Sequence, residues 1–215
     1  MKDEIGTSDM KQGSLTYFTT DRFGNPNSSL ALNGGWTYLP GGNYFNTPEL
    51  TISVWILPQN VGSWSRLIDF GNGMMDNIIL ALASGNYPLP FAFEIFNASH
   101  FLFMVISSQN LTLCQWQFLT ITYDGSNAFT YLNGKLTASH SYSYNMPVIT
   151  RKNCYIGKSY KAPFDGYSSS YLDDLKFYNK SLTQAEILLL YNQYQTITSI
   201  SKHFFNQIVI SAIDF

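Results

Sequence analysis

Paired carboxylates come first, because hydrolysis of a glycosidic bond needs two of them, ≈ 5–5.5 Å apart for retention of configuration and ≈ 6.5–9.5 Å for inversion. The chain carries four glutamates, Glu4, Glu49, Glu94 and Glu186. Only Glu94 falls inside a strand-like stretch, Phe91-Ala-Phe-Glu-Ile-Phe96, and no acid stands two or three positions from it. His100, His140 and His203 stand singly, with no His-Glu-x-x-His and no Gly-x-Ser-x-Gly, so metal-assisted and nucleophilic hydrolysis lack their usual residues. Catalysis is therefore not expected.

Three other groups of residues have chemistry to offer. Trp64, Asp69, Asn72 and Asp76 lie in a polar stretch between two strand-like runs. An aromatic face for CH groups beside planar donors and acceptors is what a sugar needs, and Glu94 faces away from Phe93 and Ile95. The plainer reading makes Trp64 and Phe70 core edges and Gly71 to Gly73 a turn. Asp173 shares strand parity with Leu175 and Phe177, the expected core face. A carboxylate there must be paired, bind a cation or end the strand. Cys114 and Cys154 each stand just ahead of a strand; in an extracellular chain two unpaired thiols are unusual, so a disulfide is expected. The alternative is two small buried apolar residues in a cytosolic domain.

Composition narrows the partners. Of 215 residues, 45% are apolar and 12% charged, with a net charge of −2, about half the charge usual for a soluble domain. Disorder is excluded, and no basic cluster beyond pairs offers a nucleic-acid footprint. No apolar stretch reaches the length of a membrane span. Ser (23), Thr (16) and Asn (18) with 16% aromatics give a surface of hydroxyls, amides and rings, suited to neutral hydroxylated ligands. Asn27, Asn97, Asn110 and Asn179 head N-glycosylation sequons, which points toward an extracellular setting. Met1-Lys-Asp-Glu4 is polar and acidic, unlike a signal peptide.

The elements that must position these groups are strands. Period-two alternation runs through Leu119-Thr-Ile-Thr-Tyr123, a half-buried strand. Asp124 to Asn127 turns the chain, Phe129 to Leu132 returns, and Asn133-Gly134 is a hairpin turn of the type that needs positive φ at both residues. Further strands are expected at Ser29–Leu32, Thr37–Leu39, Leu50–Leu57, Arg66–Phe70, Asn77–Leu82, Phe91–Phe96, Phe101–Ile106, Tyr155–Gly157 and Leu172–Tyr178. One helix is expected over 182–191, opened by the capping box Thr183-Gln-Ala-Glu186. This is the pattern of an all-β sandwich or jelly roll with one short C-terminal helix. Residues 1–13 read as a leader segment, 14–192 as the domain and 193–215 as a tail or added strand.

The order of pieces resembles a laminin-G-like domain of the concanavalin A-like lectin/glucanase superfamily. Ala31-Leu-Asn-Gly-Gly-Trp-Thr-Tyr-Leu-Pro40, Thr51-Ile-Ser-Val-Trp-Ile56, Trp116 to Gly125, Phe129 to Gly134, Tyr155-Ile-Gly-Lys-Ser159, Phe164-Asp-Gly166 and Leu172 to Asn179 follow its motifs in register. The resemblance implies a jelly-roll β-sandwich of two antiparallel sheets packed face to face, binding or adhesion more often than catalysis, and packing roles for Trp55 and Trp116. It also implies that Asp173 ligates a structural Ca2+, for which Asp21 and Asn25 are plausible further ligands; a strand-end Asp bonded to amides or to a lysine is the alternative.

The expected function is a non-catalytic carbohydrate-binding or adhesion module of a larger extracellular or cell-surface protein. It would act as a monomeric domain on a neutral glycan or an extracellular protein, without membrane insertion. The alternative is a protein-interaction or spacer domain with no glycan site.

Overall fold

In a computed structural model, residues 8–73, 75–97, 101–143, 145–162 and 164–193 are described; Glu4, His100, His203 and the expected tail from 194 onward lie outside them. The chain forms β1 (Lys11–Thr19), β2 (Ser29–Leu39), β3 (Leu50–Asn60), β4 (Arg66–Asn72), β5 (Met75–Ala81), β6 (Ala92–Phe96), β7 (Phe101–Ile106), β8 (Gln117–Tyr123), β9 (Asn127–Leu132), β10 (Lys135–Ser141), β11 (Asn153–Ile156), β12 (Ser169–Tyr178) and α1 (Gln184–Gln193). β1 begins inside the segment expected to be a leader and pairs with β2.

Hydrogen bonding runs through the order β10-β9-β8-β3-β12-β2-β11-β4-β5-β6-β7. The ladder doubles back on itself at β2. Its first half pairs with β12 at Leu30 to Asn33, and its second half pairs with β11 at Thr37 to Leu39. Gly34, at φ +66°, and Gly35, whose added Cβ would sit 2.1 Å from the Ser14 carbonyl oxygen, make that corner. Far ends of the ladder then meet, with Phe103 of β7 packed against Tyr123, His140 and Tyr142. Two layers result: a first sheet of β10-β9-β8-β3-β12 and a second of β11-β4-β5-β6-β7.

Leu32, Ile52, Val54, Ile56, Ile68, Phe70, Phe93, Ile121 and Phe177 fill the space between the layers. Outward from the first sheet, Trp55, Phe118, Tyr131 and Leu182 form a second apolar layer with Ile187 of α1, and Tyr191 stacks on Trp55 at 5.6 Å. The helix starts as its sequence predicts. Thr183 N donates to Glu186 Oε2 at 2.8 Å, and Glu186 N donates back to Thr183 Oγ1 at 3.2 Å. Asn133 and Gly134 take φ of +52° and +75° between β9 and β10.

The expected disulfide is not formed: both cysteines are free. Cys154 faces the core from β11, opposite Leu39 and Phe70. Cys114 is exposed on the turn before β8, its Sγ 3.8 Å from Gln59 Oε1. Standing just ahead of a strand says nothing about which layer or face a residue joins. Burial pushes the Cys154 thiol up to about 12, and a protonated, covered thiol is unreactive. With a thiol reagent at pH 8, one group should react in the folded protein and the second only after denaturant is added; two fast thiols would contradict this packing.

Candidate functional site

The outward face of the second sheet carries the charge. Tyr155, Asp69, Ile79 and Glu94 stand opposite one another on β11, β4, β5 and β6 and so share that face. Arg66 would fall on the other face in an uninterrupted strand, since it is three residues from Asp69. A bulge corrects this: Arg66 opposes Ala81 and Ile68 opposes Leu80, so Leu67 is one extra residue. An inserted residue reverses the parity behind it, which puts Arg66 beside Glu94 rather than in the core.

Arg66 Nη1 donates to Glu94 Oε1 at 2.6 Å and Nη2 lies 3.5 Å from Asp165 Oδ2. Trp64 stands over the guanidinium at 5.6 Å. The segment after β11 roofs this cluster. Tyr160 N donates to Asp69 Oδ2 at 2.9 Å, Asn77 Nδ2 to Asp69 Oδ1 at 2.6 Å, and Ser159 Oγ to Asp165 Oδ2 at 2.6 Å. Desolvation raises the Asp69 carboxyl against the pull of these donors, and raises Glu94 against the pull of Arg66.

Beneath the roof lies a cleft of about 70 Å³ lined by Arg66, Asp69, Asn77, Ile79, Tyr160 and Lys161 among others. Two polar atoms of its lining residues are buried without a partner, Asn77 Oδ1 and Arg66 Nε. The amide orientation of Asn77 is fixed, because its Nδ2 donates to both Asp69 and the Gly73 carbonyl. Its side chain lies on Gly71, where an added Cβ would come within 2.5 Å. One orphan is therefore an acceptor and the other a donor, and burying either unpaired costs about 1–3 kcal/mol.

Of the residues the sequence singled out, Asp69 and Glu94 join this cluster and Trp64 borders it. Glu94 is buried and ion-paired, not in solvent. Asn72 and Asp76 flank Gly73 at the rim, where Asn72 Oδ1 accepts from Lys152 N at 2.9 Å and the Asp76 carbonyl accepts from Arg151 Nε at 3.3 Å. Arg66 and Asn77 lie in the polar stretch the sequence marked but had no role assigned, and Tyr160 was missed. Only the register of β4 against β5 and β11 brings them together.

The acids expected to hold calcium face a different cation. Asp173 opposes Trp55 and Lys176 opposes Ser53, so Asp174 and Leu175 share one position of β3, with Asp174 at φ +48°. This second bulge turns Asp173 outward to the side of Trp55, off the core parity its spacing suggested. Arg22 Nη1 is bonded to Asp173, and Nη2 donates to Asp174 Oδ2 at 2.6 Å. The guanidinium lies 4.4 Å from the Phe23 ring and 4.9 Å from Trp55. Asp21 Oδ1 is turned instead to the amides of Phe23 and Asn25, and Oδ2 to Asn25 Nδ2. These residues do not fit a calcium ion. An arginine fills the space between the two carboxylates, and among the described residues no group of three acids or ligating side chains converges.

Two outcomes are expected. EDTA should leave the melting curve unchanged, whereas Arg22→Met should lower stability by about 3–5 kcal/mol, the range for breaking a buried ion pair; a chelator-dependent melt would restore the calcium reading. The Asp173 carboxyl is pushed up to about 7, chiefly by burial and against the pull of Arg22. A carboxyl raised on folding binds its proton more tightly in the folded chain, so its stabilising effect is full below about pH 4 and is lost as pH rises toward 7. Urea titrations from pH 4 to 7 should show a flatter decline in Asp173→Asn than in the parent protein.

Comparison with known proteins agrees with this architecture. Domain 4 of AbnA, a GH43 extracellular arabinanase from Geobacillus stearothermophilus solved with arabinotriose, superposes with a TM-score of 0.70 at 16% identity, covering 87% of this chain and 89% of that one. The binding domain of botulinum neurotoxin DC solved with SialylT gives 0.67 at 14%, covering 93% and 50%. The same domain solved with rat synaptotagmin II gives 0.67 at 14%, covering 94% and 50%. The chain thus spans about half of those toxin domains. Among curated proteins there is no match. Residues 32–188 match a laminin-G family model, and the chain belongs to the concanavalin A-like lectin/glucanases superfamily.

Proposed function

We propose that the protein is a non-catalytic carbohydrate-binding module of a larger extracellular protein, and that a neutral glycan enters the cleft over β4, β5 and β6. The observation that carries this is the orphan pair, Asn77 Oδ1 and Arg66 Nε, in residues lining one small cleft. A sugar hydroxyl donates and accepts at once, so its chemistry suits an orphan acceptor and an orphan donor alike. The cleft is far smaller than the ≈ 300–1,000 Å³ of a whole-ligand pocket, so it takes one arm of a sugar, a hydroxymethyl group, with the ring outside. Both atoms are covered, and the arm reaches them by displacing the Tyr160 ring, which is 44% exposed. Each acid at the site already has a hydrogen-bonded partner, which supports binding without turnover.

The extracellular setting is supported by the exposure of Asn27, Asn110 and Asn179 at their sequons. One feature favours a protein partner instead: Phe164, on the segment that roofs the cleft, is 94% exposed.

A nitrogen-15-labelled sample titrated with neutral oligosaccharides should show shifts at Asn77, Tyr160 and Lys161. A single site of this kind binds in the millimolar-to-micromolar range, −4 to −8 kcal/mol, and Asn77→Ala should weaken it at least about tenfold. No shifts with any glycan would reject the reading, and capture of a protein partner lost in Phe164→Ala would replace it.

A further inference from the structure

We propose that the outward rings of Trp36, Tyr38 and Tyr155 form a second subsite, which takes further units of a linear neutral oligosaccharide whose end sits in the cleft. The proposal rests on the glycan reading above and extends it from one sugar to a chain.

Position comes from register. Tyr38 of β2 stands directly opposite Tyr155 of β11, and Tyr155 directly opposite Asp69 of β4. Neighbouring strands are ≈ 4.7–4.9 Å apart, so Tyr38 lies two strand spacings, about 10 Å, from the cleft acid along a straight row. A sugar ring is about as wide as one spacing, so a chain crossing the strands meets one ring of the row with each unit.

The rings form one surface. Trp36 lies 5.8 Å from Tyr38 at 39° and 5.6 Å from Tyr155 at 85°. Gly13 of β1 backs the indole, where an added Cβ would come within 2.8 Å of Trp36 Cε3. The first sheet also carries outward rings, Trp55, Phe118 and Tyr131, but there α1 covers them. No element covers the row on the second sheet among the described residues, and Tyr38 is 37% exposed. Trp36 and Tyr155 are half-buried under Lys158, so the row is partly open to solvent.

Lys158 supplies the polar partner. Its Nζ sits 4.2 Å from the Trp36 centroid and 4.8 Å from that of Tyr155, and among the described residues no carboxylate pairs with it. The ammonium has donors to spare for ring and hydroxyl oxygens. Lys158 immediately precedes Ser159 and Tyr160 of the cleft roof, so the two subsites are joined by three consecutive residues.

The test is the dependence of affinity on chain length, by calorimetry with 1,5-linked arabino-oligosaccharides and β-1,4-linked gluco-oligosaccharides of one to four units. In the parent protein, affinity for the bound series should rise about tenfold or more from one unit to three. Tyr38→Ala and Tyr155→Ala should each remove most of that rise and leave single-unit binding unchanged. Asn77→Ala should weaken every length alike. The Trp36 indole resonance should shift with three units and not with one. Equal affinity at all lengths, or a rise that persists in both tyrosine variants, would overturn the second subsite and leave the cleft standing. Absence of binding by both series would remove the cleft and the subsite together.

Discussion

Alternation of side chains across a strand decides what a sandwich can bury, and two extra residues govern where this one keeps its charge. Had Arg66 and Asp173 followed strict alternation, each would have pointed into the layer that holds Ile68, Phe70 and Phe177. An ion there would cost several kcal/mol even after relaxation. The bulges at Leu67 and at Asp174–Leu175 move both ions to outward faces and keep the apolar residues on either side facing in. Neither Arg66 nor Asp173 enters the layer between the sheets, and each sheet gains a charged cluster on its outside.

The two clusters are then treated differently. On the first sheet Arg22 joins two carboxylates under Phe23 and Trp55, and the side chains of Arg22, Asp173 and Asp174 are 6%, 6% and 11% exposed. That cluster is closed, and its role is to hold the segment before β2 against β12. On the second sheet the cluster is roofed by a segment that contributes one backbone amide and a hydroxyl but leaves a cleft beside Asn77. Like chemistry serves packing on one side and access on the other, and the difference lies in what covers each face.

Strands whose alternation was unbroken were legible in the sequence, as were the Asn133-Gly134 hairpin and the Thr183–Glu186 cap, because each depends on neighbours in the chain. β1 escaped notice because its side chains are all exposed or half-buried, so no apolar pattern commits it to a face. Bulges escaped for a related reason: one inserted residue leaves no mark in composition yet reverses every face assignment beyond it. Asp69 and Glu94 could be picked as polar residues in apolar surroundings. Their partners Arg66, Asn77 and Tyr160 are set by pairing across β4, β5 and β11, and nothing in local spacing encodes that. The expected disulfide failed in the same way, since Cys154 faces the core from β11 while Cys114 is exposed on the turn before β8.

The corner at Gly34 and Gly35 has a consequence for cooperativity. Because β2 gives its first half to one layer and its second half to the other, neither layer can lose its ladder without tearing the strand that belongs to both. Proteins often open in separate units of different free energy. Here a single continuous strand removes the natural seam between such units, so the slowest-exchanging amides of both layers share one opening free energy, that of the whole domain.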